Sequence, residues 1–362
     1  MAATVRISRA EDLHLIAPDP AAGPSVLDGD PGVDVAVLEV AGGHLTWSVL
    51  ALEAPPVAVL DDAGLAQEWV WAVYGERVAL ALADGGGVVG GTEPAQPALA
   101  ESARRLAYAH WAARWWPASV IDSIPALDER LLDREIVELT EACDPLFAGR
   151  DDPAEPAGAA PGATAGTGQP LPRPGDYALT AGPGPSSGPG TSGDPGTSAD
   201  GLTLARGMGG SDWRRCPPGL VDASERAVSW QLVRAAARTT VMVQVVAAPG
   251  PPPADLRLTP RAAVSGVADP LDIGLRRVAD AWLGDAQVRG TEGVPGAGMA
   301  VDVYLPGFGP PPVRPGPGDR PARERIRDLA RARLAGARSG SPAGHGAPLR
   351  AEIAASSDDS DF

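Results

Sequence analysis

Lysine and asparagine are absent from the 362 residues, and all 30 basic side chains are arginine. The absence of lysine excludes a P-loop lysine, a Schiff base to pyridoxal phosphate and a kinase-type lysine. The absence of asparagine removes every N-glycosylation acceptor. Codons for both residues are A-rich, so their joint absence fits a GC-rich bacterial genome. Cysteine is almost as scarce: Cys143 and Cys216 are the two present, with four histidines scattered along the chain. Such a set lacks the spacing of the common structural zinc sites, and we expect neither metal nor cofactor. The cysteines flank a long Gly/Pro-rich stretch, so we expect free thiols in a reducing, cytoplasmic compartment rather than a framework disulfide. The first thirty residues include Arg6, Arg9, Glu11 and Asp12 and no apolar run of signal-peptide length. No run reaches 18 apolar residues, so no membrane span is expected.

What is plentiful is acid, glycine and proline. The net charge is −16, with 45 glycines and 39 prolines. The acid is uneven: residues 1–150 hold 9 arginines against 23 carboxylates, whereas residues 319–362 hold 8 against 7. An N-terminal half this acidic repels nucleic acid and anionic lipid. It suits a basic protein partner, and it also serves solubility.

Composition and periodicity divide the chain in four. Residues 1–150 read as an acidic α+β domain ending in a helical hairpin. Val33, Val35 and Val37 alternate on one face of a first strand. Leu45, Trp47 and Val49 alternate in the next run, with Gly42-Gly43 marking the turn. Residues 63–74 read as a helix with Leu65, Trp69 and Val73 on one face, and 76–83 as a strand. Residues 151–211 hold 15 glycines and 10 prolines and read as a disordered linker. Residues 212–309 alternate in short runs, among them Val228, Trp230, Leu232 and Thr239, Val241, Val243, Val245. They read as an all-β, sandwich-like domain. Residues 310–362 read as a Pro-rich and Arg-rich tail, mostly disordered, with a short helix at 320–337 whose narrow stripe of Ile326, Leu329, Ala330 and Leu334 needs a partner.

The hairpin, residues 97–147, is the most informative stretch. In its first helix Leu99, Ala103, Leu106, His110 and Ala113 share one side, and Tyr108, Trp111 and Trp115 lie nearly opposite. Pro117 stops that helix, and Pro125 suits the first turn of the second. There Leu132, Ile136, Leu139 and Cys143 form an apolar face. Seven acids lie between Asp128 and Asp144. Most read as a solvated face, with Arg134 and Glu138 spaced for an i,i+4 pair.

Motifs add little. Gly85, Gly87 and Gly90 spell G-x-G-x-x-G, but Gly91, Pro94 and Pro97 follow where a dinucleotide site needs a helix N-terminus. Gly184 to Gly188 spells G-x-S-x-G inside the linker, without the strand and helix of a nucleophile elbow. Pro312 to Pro315 is a P-x-x-P with one arginine. The leading expectation is a non-catalytic, cytoplasmic interaction or adaptor protein. Its contact residues would be Tyr108, Trp111, Trp115, Trp116, Glu138 and Glu141, since tryptophan and tyrosine dominate interface anchors. The bland alternative has these aromatics packing inside. The alternative function is an enzyme of unknown reaction, with His110 as a general base beside Asp122 or Asp128. It requires a pocket in which at least two of these groups meet. A third reading has the β-rich domain binding a small ligand or glycan through Trp213, Trp230 or Trp282.

Overall fold

The computed structural model describes residues 3–20, 23–28, 32–148, 202–236, 238–250, 260–267, 269–288, 299–309, 319–340 and 346–357. They form helices and antiparallel sheets in two compact units. Neither unit is contiguous. Of the described residues, the first draws on those within 3–116, 127–148 and 321–357, and the second on those within 117–126 and 202–320.

The first unit is built on six strands: β1 (Ala3–Ala10), β2 (Leu13–Pro18), β3 (Val35–Val40), β4 (Gly43–Ser48), β5 (Val57–Leu60) and β6 (Gly87–Thr92). Their order is β3-β4-β5-β2-β1-β6, each neighbouring pair antiparallel. Register lines up Ile7, Ile16, Ala58, Leu45 and Leu38 in one row across the sheet, and all five are buried. This corrects the expected face of β3. Ala36, Leu38 and Val40 point inward, while Val37 is exposed. The turn decides it: Val40 pairs with Gly43 across Ala41 and Gly42, and a one-residue change of register reverses every side chain. Gly42 sits at φ +69, and a Cβ there would meet the Asp62 carbonyl oxygen at 2.3 Å. Only glycine fits that position.

Five helices of this unit are α1 (Ala63–Tyr74), α2 (Glu76–Ala83), α3 (Pro97–Trp115), α4 (Glu129–Ala142) and α5 (Asp144–Phe147). Asp62 caps α1 by accepting from the N–H groups of Gly64 and Leu65. Trp69 is buried and donates its indole N–H to the Ala41 carbonyl at 2.8 Å, fixing α1 to the β3–β4 turn. Leu65 is exposed, so the inward side is Ala66, Trp69, Val70 and Val73. The expected strand at 76–83 is helix α2. Its Val-Ala-Leu-Ala-Leu-Ala run alternates like a strand, but alanine and leucine are strong helix formers. Val78, Ala79 and Leu82 then bury one helical side. The strand comes next, where the G-x-G-x-x-G glycines lie. Gly87 and Gly90 belong to β6, paired with β1, and no helix opens there. The G-x-S-x-G match and the P-x-x-P lie outside the described residues.

The tail's expected helix at 320–337 is α6 (Asp319–Ser339), and where disorder was expected its described residues add α7 (Arg350–Ser357). Ile326, Leu329, Ala330 and Leu334 are all buried, so the narrow stripe has its partner. Burying such a side chain is worth about 1.5–3 kcal/mol each for the larger ones, which a lone amphipathic helix lacks.

The second unit is β-rich. Five strands, β7 (Leu202–Gly209), β8 (Val228–Ala235), β9 (Arg238–Val246), β12 (Arg276–Val278) and β13 (Ala281–Val288), follow the order β12-β13-β9-β8-β7. Three others, β10 (Arg261–Ser265), β11 (Leu271–Gly274) and β14 (Ala300–Tyr304), follow β11-β10-β14. Val228, Leu232, Val241, Val243 and Val245 from the larger sheet share one core with Ala262, Val264, Ile273 and Val303 from the smaller. Strand β7 falls inside the stretch expected to be linker. Residues 149–201 lie outside the described residues, as do residues 251–259.

The link between α3 and α4 also differs from expectation. Residues 117–126 belong to the second unit. Asp222, fully buried, accepts from the Ser119 hydroxyl at 2.7 Å and from the N–H groups of Val120 at 2.7 Å, Ser224 at 2.9 Å and Ile121 at 3.4 Å. Pro125 therefore does not open a helix. α4 begins later, with Asp128 as its cap.

Candidate functional site

α3 and α4 pack together, and the residues between their facing sides form a buried polar cluster completed by α6 and α7. Glu135 of α4 is buried and accepts from Arg105 of α3, with Nε at 2.9 Å. Its second oxygen takes the backbone N–H of Arg350 at 2.7 Å. The Arg350 guanidinium forks onto Glu138, at 2.7 and 2.5 Å. Arg105 also donates to the Pro348 carbonyl at 3.0 Å.

Deeper lies a second charge pair. Arg333 of α6 and Glu352 of α7 are 3% and 0% exposed and meet through two hydrogen bonds, at 2.5 and 2.8 Å. Tyr108 donates its hydroxyl to Glu352 at 2.8 Å, and the Arg333 guanidinium lies 4.1 Å from the Tyr108 ring centroid. Glu352 is the third residue of α7, and its carboxylate reaches back to the Leu349 N–H at 2.7 Å. That is one half of a capping box. Removing two charges from water costs several kcal/mol per ion, so this pair holds only because every oxygen and ring face is engaged. Burial first, and the nearby Glu352 charge second, push the Tyr108 pKa well above its ordinary value. Tyr108 therefore stays a proton donor. The Arg350 hydrogen bonds hold Glu138 below the usual carboxylate range.

The residues singled out from the sequence fall into three groups. Tyr108, Trp111 and Trp116 are buried. Tyr108 stacks on Trp111 with centroids 5.5 Å apart, and the Trp111 indole donates to the Val33 carbonyl at 2.8 Å. Trp115 is half-buried, with the Arg114 guanidinium 5.1 Å from its ring. Glu138 and Glu141 are exposed, and Glu138 takes Arg350 in place of the expected Arg134 pairing. His110 departs from its expected apolar stripe and is exposed, as is Ala113, while Leu99, Ala103 and Leu106 are buried as expected. Partial desolvation lowers the His110 pKa. Asp128 caps α4 by accepting the Leu131 N–H at 3.1 Å. Asp122 lies in the second unit, 3.8 Å from Arg226.

No family model, curated protein or solved structure matches the chain. The site rests on its own geometry. Among the described residues no group of three or more His, Cys, Asp or Glu converges as a metal site. No described helix is long and apolar enough to cross a membrane. A cleft of about 420 Å³ opens in the first unit beside Trp47, Tyr74, Glu93 and Arg104, and none of His110, Asp122 and Asp128 lines it. Sequence reasoning missed Arg105, Glu135, Arg333, Arg350 and Glu352. Their one local signal is the glutamate three residues after Leu349, a capping spacing without the usual serine or threonine.

Proposed function

We propose that the chain is a non-catalytic, cytoplasmic interaction protein whose contact surface is the outer side of α3 and α4. The supporting observation is how α4 holds Arg350. One carboxylate takes a guanidinium and a neighbouring one takes the N–H at a helix start. This is recognition chemistry for a basic helical segment. Beside it Val137 and Glu141 are exposed, and Trp115 is half-buried at the end of α3. Trp111 and Trp116 support that surface from inside, while the Tyr108 hydroxyl is taken by Glu352 of α7. The partner is a protein with basic character. The acidity of residues 1–150 opposes nucleic acid and anionic membrane.

The test uses the full chain, Trp115→Ala and Glu141→Arg as baits in host lysate at low and moderate salt, with circular dichroism to confirm folding. A stoichiometric partner that weakens with salt and is lost from both folded variants supports the surface. A partner that both variants retain removes it, and bare baits at either salt sink the interaction reading.

A further inference from the structure

α7 has eight residues, fewer than a helix needs to persist alone in water. Its buried apolar side chains are Leu349 just before it, Ala351 and Ala355, whereas the 21-residue α6 buries Ile326, Leu329, Ala330 and Leu334. The rest of its hold is polar: Arg338 donates to the Ser356 carbonyl at 3.2 Å and Arg105 to the Pro348 carbonyl at 3.0 Å, and three further contacts come from Arg350 and Glu352. Arg350 meets Glu138, the Arg350 N–H meets Glu135, and Glu352 meets Arg333 and Tyr108. An arginine in the first turn opposes the helix dipole, which favours acids there. Arg350 is therefore placed for Glu138 and not for the stability of its own helix. When α7 leaves, Glu135, Glu138, Arg333 and the Tyr108 hydroxyl all become open to water or to another ligand with the same groups.

We infer that Glu135, Glu138, Arg333 and Tyr108 form a receptor for a helix start of the pattern leucine, arginine, any residue, glutamate, that α7 occupies it in cis, and that a partner protein's helix of this chemistry docks by replacing α7. This rests on the interaction reading above and adds the partner's chemistry and its gate. A tethered occupant acts at roughly millimolar effective concentration, so an external helix binds the resting protein weakly and the α7-released protein tightly.

The probe is a fluorescein-labelled peptide of residues 346–357, titrated into the full chain. Leu349→Asp in the full chain removes the apolar anchor of α7 and leaves the receptor groups untouched. This variant should bind the peptide at least roughly tenfold more tightly than the wild type. Adding Glu138→Arg should abolish the gain. Equal binding by wild type and Leu349→Asp, or binding that survives Glu138→Arg, overturns the inference. If Leu349→Asp fails to fold, hydrogen exchange on the wild type decides. α7 amides exchanging at least about tenfold faster than those of α3 support a replaceable α7, and equal protection refutes it. A host partner lost with Trp115→Ala, alongside a failed peptide exchange, would remove the gate alone and leave the interaction reading standing.

Discussion

Replacing Asp222 tests the clasp that holds residues 117–126 in the second unit. Its carboxylate satisfies three close donors, the Ser119 hydroxyl and the N–H groups of Val120 and Ser224, and a longer one from Ile121. In Asp222→Ala the serine hydroxyl can rotate toward another acceptor, but the two backbone N–H groups cannot. Each buried donor left unpaired costs about 1–3 kcal/mol, so the two give a loss of about 2–6 kcal/mol. With a urea m-value of about 2 kcal/mol/M the midpoint should fall by roughly 1–3 M. Asp222→Asn keeps one acceptor but turns an NH₂ toward the donors, so it should lose about half as much. The assay is urea unfolding with hydrogen exchange at Val120 and Ile121 as the local readout. A midpoint for Asp222→Ala within about 0.3 M of the wild type, at unchanged m-value, would refute the clasp. The pH dependence has a definite sign. Burial raises the Asp222 pKa, against hydrogen bonds from Ser119, Ser224 and Val120 that lower it. A folded pKa above the unfolded one means the group's stabilisation is complete below about 3.9 and declines as pH rises through the folded value. The stability gap between wild type and Asp222→Asn should narrow with rising pH.

The buried pair makes a second prediction. Arg333→Met or Glu352→Leu alone should cost about 3–5 kcal/mol, less where α7 detaches and lets water reach the orphaned charge. The double substitution should recover most of that in thermal or urea unfolding, and two single losses that simply add would contradict a coupled pair. Burial pushes both Cys143 and Cys216 up to about 12. Neither should react with an aromatic disulfide reagent at pH 8 until the chain unfolds, whereupon both should. The Arg350 hydrogen bonds lower the Glu138 pKa, so its contribution is present above the unfolded carboxylate pKa and lost as pH falls through the folded value. Exchange protection of α7 should weaken on acidification, and Glu138→Gln should lose that dependence.

Local patterns were legible where one face met one core. The Ile326–Leu334 stripe and Val241, Val243 and Val245 of β9 point where their periodicity says, and of the α4 face Leu132 and Cys143 are buried while Ile136 and Leu139 are half-buried. Patterns failed where turn geometry or a distant partner decided. Val35 and Val37 of β3 lie on the face opposite the buried Ala36, Leu38 and Val40 because the Ala41-Gly42 turn sets the register. The α2 alternation is strand-like only if helix propensity is ignored. The polar cluster was unreadable for another reason. Tyr108 and Glu352 are 244 positions apart, and Ser119 and Asp222 are 103 apart. Nothing local in either member names its partner. The aromatic stripe of α3 was visible, but a helix covered on both sides does not show which tryptophan stays at the surface. Trp115 remains half-exposed, and Trp111 is anchored on Val33.

The interrupted composition of the first unit has a consequence for synthesis. Its sheet, α3 and α4 emerge from the ribosome by residue 148, yet α6 and α7 follow only at residues 319–357. At 5–20 residues per second the gap lasts on the order of ten to forty seconds. Throughout that interval the nascent α3–α4 surface carries the Tyr108 hydroxyl and the Glu135 oxygen that Glu352 and the Arg350 N–H later meet, with those partners not yet made. A chain stalled in this window presents an acidic, aromatic face to whatever waits at the tunnel exit, and the second unit must be translated before that face can close.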